Sequence, residues 1–157
     1  RKYPAIQAWY TSKEAVLNPA CYDDEWARFE RSLKEIVKPE DLKNDYGFVE
    51  KVGIGPPPVE VGKKLLVIIH AVEPVKINGR LEFAYTSWKC LLNKHTLEID
   101  ELERISVANF SYTSKGDVPN VLFPTTAFKH DGYLVIYAGV NDYFTGLLIS
   151  NLKRFIQ

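Results

Sequence analysis

The residues best suited to chemistry are a histidine inside an apolar run, a lysine beside a stiff glycine- and proline-rich segment, and an acid at a chain reversal. His70 lies within residues 65–72 (LLVIIHAV), the most apolar run of the chain. An imidazole in such surroundings must be hydrogen-bonded or face a polar cavity. It is therefore either a satisfied core histidine or a ligand-binding one. Lys51 opens residues 51–58 (KVGIGPPP), where two glycines permit close backbone approach and three prolines fix φ and remove donors. The plainest reading of this segment is a tight lead into the next strand, with Lys51 a solvated charge. It lacks the trailing Gly-Lys-Ser/Thr of a phosphate-binding loop, which argues against a nucleotide site. Asp142 closes residues 137–142 (YAGVND), and on pattern alone Asn141-Asp142 is a hairpin turn. His95 and His130 sit in turn sequences (NKHT and KHDG) and are expected in solvent; with Cys21 and Cys90 far apart, no zinc site is expected.

The elements that must carry these residues read as strands. From Ile54 onward, short runs rich in β-branched and aromatic residues alternate with turn signals: 64–72, 81–88, 90–99, 105–112, 120–128, 133–139 and 143–150. Asn78-Gly79, Asn93-Lys94, Lys115-Gly116, Asp131-Gly132 and Asn141-Asp142 punctuate them, each a chemically sensible reversal. A succession of hairpins without crossover helices excludes a βαβ architecture and leaves a sandwich, a barrel or a propeller. Residues 116–126 (GDVPNVLFPTT) hold a short strand bracketed by Pro119 and Pro124. In the first third, residues 6–11 read as a strand. Residues 24–38 place Trp26, Phe29, Leu33, Ile36 and Val37 near helical spacing, with Asp24 as cap and Pro39 as stop, which predicts a helix; the competing reading makes 33–38 a strand.

Composition agrees with an all-β domain able to bury a core. The 157 residues are 46% hydrophobic and 13% aromatic, and 20 basic residues balance 20 acidic ones. That balance gives no electrostatic footprint for nucleic acid or an anionic membrane. Two cysteines without CxxC spacing suit a reducing compartment, hence the cytoplasm, although one disulfide stays open. No signal peptide is visible, and the absence of Met, position 1 included, suggests that the natural start lies elsewhere.

Read in order, the blocks KVGIGPPP (51–58), LLVIIHAV (65–72), Tyr85 with Leu91-Leu92-Asn93, VPNVLFP (118–124) and IYAGVND (136–142) followed by Gly146-Leu147 resemble glycoside hydrolase family 130. The likeness runs from Lys51 to the end of the chain. It implies the C-terminal blades of a five-bladed β-propeller, a single partial domain over residues 1–157. It also implies a β-mannoside oligosaccharide as substrate and inorganic phosphate as co-substrate, with no cofactor. In the family a Lys before the Gly-Pro-Pro motif, a His on the next strand and a Tyr on the one after hold the phosphate; Lys51, His70 and Tyr85 fall on those positions. A cation, an imidazole and a phenol can all donate to phosphate oxygens. Asp142 matches an acid that bonds sugar hydroxyls, and Asn120 is placed with it at the sugar.

Two departures bear on substrate identity. Phe123-Pro124-Thr125-Thr126 stands where the family has Phe-Pro-Cys-Gly or Phe-Pro-Thr-Gly, and Trp88-Lys89-Cys90 replaces Gly-Ala-Ala, bulk that could reshape the cleft wall. The family's proton-donating Asp and its phosphate-site arginines belong to N-terminal blades, so no catalytic acid is expected in this chain. The expectation is the C-terminal half of a glycosyltransferase-type phosphorylase, inactive alone. Its expected protein partners are the missing half of the propeller and, in an oligomer, further copies. A hydrolase of the same family and a non-catalytic sugar-binding propeller are the alternatives.

Overall fold

The computed structural model describes residues 5–8, 34–106 and 120–157. Among these, ten strands form three antiparallel sheets. β1 (Ile6–Ala8) pairs with β2 (Lys34–Val37). The large sheet has the order β3 (Lys51–Ile54), β5 (Lys64–Ile77), β6 (Arg80–Asn93), β7 (Ile99–Ser106), and β4 (Val59–Val61) joins the edge of β5 beside β3. The third sheet has the order β10 (Phe144–Asn151), β9 (Tyr133–Val140), β8 (Leu122–His130), and a short helix, α1 (Leu152–Phe155), follows. The all-β expectation holds, and the sheets follow one another as consecutive blades of a propeller fold.

Turn chemistry explains the hairpins. Asn78 and Gly79, and Asp131 and Gly132, have φ between 46° and 82°, the left-handed pair that a two-residue hairpin turn demands, and Asn141 and Asp142 (φ 55° each) adopt the same backbone in a longer loop that also takes in Tyr143. The expected turns at 115–116 lie outside the described residues, as does most of the run 105–112.

Three expectations need correction. Residues 34–37, assigned to a helix, form strand β2, as the competing reading had it; pairing with β1 buries Ile36 and Val37. The rest of that segment lies outside the described residues. The separate runs 81–88 and 90–99 are one fourteen-residue strand, β6, that ends at Asn93. Lys89 looks like a break in sequence but is buried in mid-strand, its Nζ 2.7 Å from Glu101, 2.8 Å from Glu103 and 3.0 Å from the carbonyl of Phe155. Burial would lower its pKa, but the hydrogen bonds that Lys89 donates to the two carboxylates outweigh this and raise it. The same pairing makes the charged stretch 99–106 a strand, β7.

β5 is apolar on both sides because both sides are covered. Val67, Ile69 and Ala71 point with Trp88 and Cys90 into a core shared with β1 and β2, whereas Leu66, Ile68 and Leu91 meet Leu134 and Ile136 of β9. Tyr85 N of the large sheet donates to Asn120 O at 3.0 Å, which stitches it to the segment leading into β8, and Asn141 N donates to Val121 O at 3.0 Å, which extends the β8–β9 pairing within the third sheet. The buried side chain of Asn141 then accepts from Val121 N at 3.0 Å. β10 pairs only with β9 among the described residues, and Phe144, Leu147 and Ile149 on it are exposed.

Asn141 thus combines a left-handed backbone (φ 55°) with a buried acceptor. Asn141→Ala is expected to cost about 2 kcal/mol, read as a lower urea midpoint, since it strains the turn and orphans a buried N–H. Asn141→Gly should recover only the backbone part.

Candidate functional site

Strand register brings Lys51, His70 and Tyr85 onto one face of the large sheet. Lys51 stands opposite Val72, which stands opposite Tyr85; one step along, Gly53, His70 and Ser87 form the next row. Directly paired residues point to the same side, and so do residues two apart along a strand. The rings of His70 and Tyr85 lie 6.0 Å apart, and Lys51 Nζ sits 5.2 Å from the centre of the Tyr85 ring.

Two neighbours complete the group. Phe123 of β8 lays its ring 4.4 Å from that of His70 and 6.2 Å from that of Tyr85, so the third sheet forms a wall of the site. Gly53 lies beneath the imidazole: a Cβ there would come within 2.5 Å of His70 Cε1 and 2.6 Å of Nε2. The second glycine of the motif has a different task. A Cβ at Gly55 would meet the carbonyl oxygens of Pro124 at 2.9 Å and Ile68 at 3.0 Å, so its bareness lets β8 approach the end of β3. The Gly-x-Gly spacing was the signal for both, but only the paired register tells what each glycine admits.

Electrostatically, the site combines a cation with a neutral imidazole. Burial, and then the nearby Lys51 ammonium, push the His70 pKa down to about 4. His70 Nδ1 is buried and has no hydrogen-bond partner among the described residues. Lys51, Tyr85 and a neutral imidazole N–H offer donors on one face, an arrangement suited to binding oxyanions.

Of the other expected site residues, Asn120 meets this cluster through its backbone, its carbonyl accepting from Tyr85 N at 3.0 Å. Asp142 is exposed at the turn between β9 and β10. Asn120 is buried at φ 63°, and its side-chain amide donates to Glu82 Oε2 at 2.8 Å. His95 and His130 are exposed. Cys90 is a free, buried thiol whose pKa burial and Asp41 push up to about 12, leaving it unreactive. Of the bulky residues expected to reshape the cleft wall, Trp88 and Cys90 point to the opposite face from His70, and Lys89 turns to Glu101, Glu103 and Phe155. Thr125 falls at a bulge in β8, where its hydroxyl donates to Tyr137 O at 3.3 Å, and both Thr125 and Thr126 are exposed.

The face opposite His70 holds a polar cluster whose members lie too far apart in sequence to be foreseen. Glu73 is fully buried and accepts from the Thr86 hydroxyl, from Trp88 Nε1 at 3.1 Å and from Arg104 at 3.2 Å. The Arg104 guanidinium also lies over the Trp88 ring at 5.2 Å. These bonds tie β5, β6 and β7 together behind the site, although Arg104 Nε is buried without a partner among the described residues.

Residues 10–157 match the sequence pattern of glycoside hydrolase family 130, described as beta-1,4-mannooligosaccharide phosphorylase. No curated protein matches the chain. Among solved structures, one reported as showing that this family of mannoside phosphorylases contains glycoside hydrolases targeting beta-1,2 mannosidic linkages in Candida mannan superposes with a TM-score of 0.58. It is 18% identical and matches 79% of this chain. A glycosyl hydrolase from Bacteroides ovatus gives 0.58 at 18% identity over 80% of this chain. A putative glycosidase from Bacteroides thetaiotaomicron gives 0.56 at 16% over 78%. At such identities the likeness is one of fold. The chain spans about a third of the length of each: 35%, 35% and 36%.

The depressed His70 pKa makes a checkable statement about stability. Between about 4 and the ordinary 6.5, the unfolded chain binds a proton here that the folded chain does not. This site's contribution is therefore complete above 6.5 and lost as pH falls toward 4. Urea midpoints measured across that interval should fall with pH, and His70→Gln should flatten the slope.

Proposed function

Because the chain belongs to glycoside hydrolase family 130, we propose that it forms the phosphate-holding part of a propeller enzyme that cleaves β-mannosides with inorganic phosphate. The observation that carries this reading is the convergence of Lys51, His70 and Tyr85 on one sheet face, with Lys51 Nζ 5.2 Å from the Tyr85 ring and the two rings 6.0 Å apart. That spacing suits a single tetrahedral anion held between a charge and two neutral donors.

In this reaction a phosphate oxygen attacks the anomeric carbon. The bond from that carbon to the glycosidic oxygen breaks, and the departing oxygen takes a proton from an acid. Lys51 neutralises charge on the nucleophile, while His70 and Tyr85 orient its oxygens. The acid is an Asp that the family carries on blades beyond this chain, so the 157 residues alone are expected to be inactive. The open β10 edge, with Phe144, Leu147 and Ile149 exposed, supports a requirement for further blades from the same polypeptide or from another chain. Asp142 and Asn120 remain our candidates for the sugar side, Asp142 with the stronger case because its carboxylate is exposed whereas the Asn120 amide is engaged by Glu82.

Hydrolysis is the second reading, favoured by the hydrolases reported in the family. Retention of Lys51, His70 and Tyr85 weighs against it, because a hydrolase has no phosphate to hold. A non-catalytic, sugar-binding role would follow if the remaining blades lacked the acid. No helix among the described residues is long and apolar enough to cross a membrane, and the free Cys90 thiol fits the cytoplasmic location we assign.

In the full-length enzyme, Lys51→Ala should lower phosphate-dependent cleavage by about 100-fold while changing mannoside binding by less than about three-fold, because the lost charge contacts the nucleophile and not the sugar. Equal losses in both would count against this assignment. Steady-state kinetics with phosphate and mannoside varied in turn separate the two.

A further inference from the structure

We propose that Gly53 and Phe123 form a slot that fixes the plane of the His70 imidazole, which makes Phe123 of the third sheet a positioning residue for anion binding. This rests on the anion-site reading above and adds to it the device that aims the histidine.

A ligand-binding imidazole is ordinarily oriented by a hydrogen bond to its second ring nitrogen. His70 has no such bond, for Nδ1 is buried without a partner among the described residues. The ring is instead held by contacts. Gly53 on β3 leaves no room for even one methyl group, with Cε1 and Nε2 of His70 at 2.5 and 2.6 Å from where a Cβ would stand. Phe123 approaches with its ring centre 4.4 Å away and tilted by 42°. The gap between β3 and β8 is itself fixed nearby, since Gly55 admits the Pro124 carbonyl at a distance no side chain would allow. Pro124 directly follows Phe123, so the contact that seats β8 against β3 also sets how close Phe123 comes to the imidazole. Phe123 also lies 6.2 Å from the Tyr85 ring and therefore lines the two neutral donors together. A ring held this way has lost its rotational freedom before the anion arrives, so less ordering accompanies binding.

The test uses the full-length protein with histidine ring carbons labelled for NMR, the His70 signal being the one lost in His70→Gln. Inorganic phosphate is the probe, and calorimetry gives its affinity. Phosphate should shift the His70 signal in the parent protein. Gly53→Ala and Phe123→Leu should each weaken phosphate binding by about ten-fold or more and alter the phosphate-free His70 signal, with mannoside KM within about two-fold of the parent. Phe123→Tyr, which keeps the ring, should restore phosphate affinity to within about three-fold. Unchanged phosphate affinity in Gly53→Ala and Phe123→Leu overturns the slot. So does a parallel loss of phosphate affinity, mannoside affinity and melting temperature that Phe123→Tyr does not repair, for that marks a structural role only. If phosphate leaves the parent's His70 signal unmoved, the anion reading fails. The slot is then judged on the phosphate-free signal, and its being the same in Phe123→Leu as in the parent refutes it.

Discussion

The arrangement depends on one steric constraint: the His70 ring occupies the space above Gly53, in a row of the sheet where any other residue would expel it. Strand β5 is covered on both faces, so its only polar ring has nowhere else to go without breaking a packed core. Placing glycine opposite histidine opens a recess the size of an imidazole in an otherwise closed surface. Lys51 and Tyr85 then follow from register, one row away on the same face. Burial in that recess, with a cation beside it, also keeps the imidazole neutral, and this leaves an N–H for an oxyanion without adding a second charge.

The recess is closed by a neighbouring sheet, and its geometry is only as good as the seam between them. That seam is polar at one end, where Tyr85 N donates to the Asn120 carbonyl and the Asn120 side-chain amide donates to Glu82. It is apolar at the other, where Leu66, Ile68 and Leu91 meet Leu134 and Ile136. Behind the site, the Glu73, Thr86, Trp88 and Arg104 cluster links β5, β6 and β7 of the large sheet. A buried carboxylate is tolerated there because each of these partners supplies a hydrogen bond.

Much of this was legible in the sequence, for identifiable reasons. Hairpins announce themselves through residues that accept a left-handed backbone, and Asn78-Gly79, Asp131-Gly132 and Asn141-Asp142 all adopt it. His70 stood out because an imidazole is costly in an apolar run. What stayed hidden depends on contacts between residues far apart in sequence. Lys89 read as the end of a strand because its partners, Glu101 and Glu103, lie on the next one. Glu73 and Arg104 are separated by 31 positions. Phe123 looked like one more apolar residue until the third sheet brought it against His70, and Asn141 looked like a plain turn residue although its side chain anchors Val121. The helix expected over 24–38 failed at residues 34–37 because pairing with β1 outweighs a weak helical period.

Whether Lys51, His70 and Tyr85 serve an attacking phosphate is decided by the identity of the product. The full-length protein should be incubated with a β-mannoside and inorganic phosphate, and the phosphorus NMR spectrum followed. A sugar 1-phosphate signal should grow as the mannoside disappears, with no cleavage when phosphate is omitted. Release of free mannose at the same rate with and without phosphate would contradict that role.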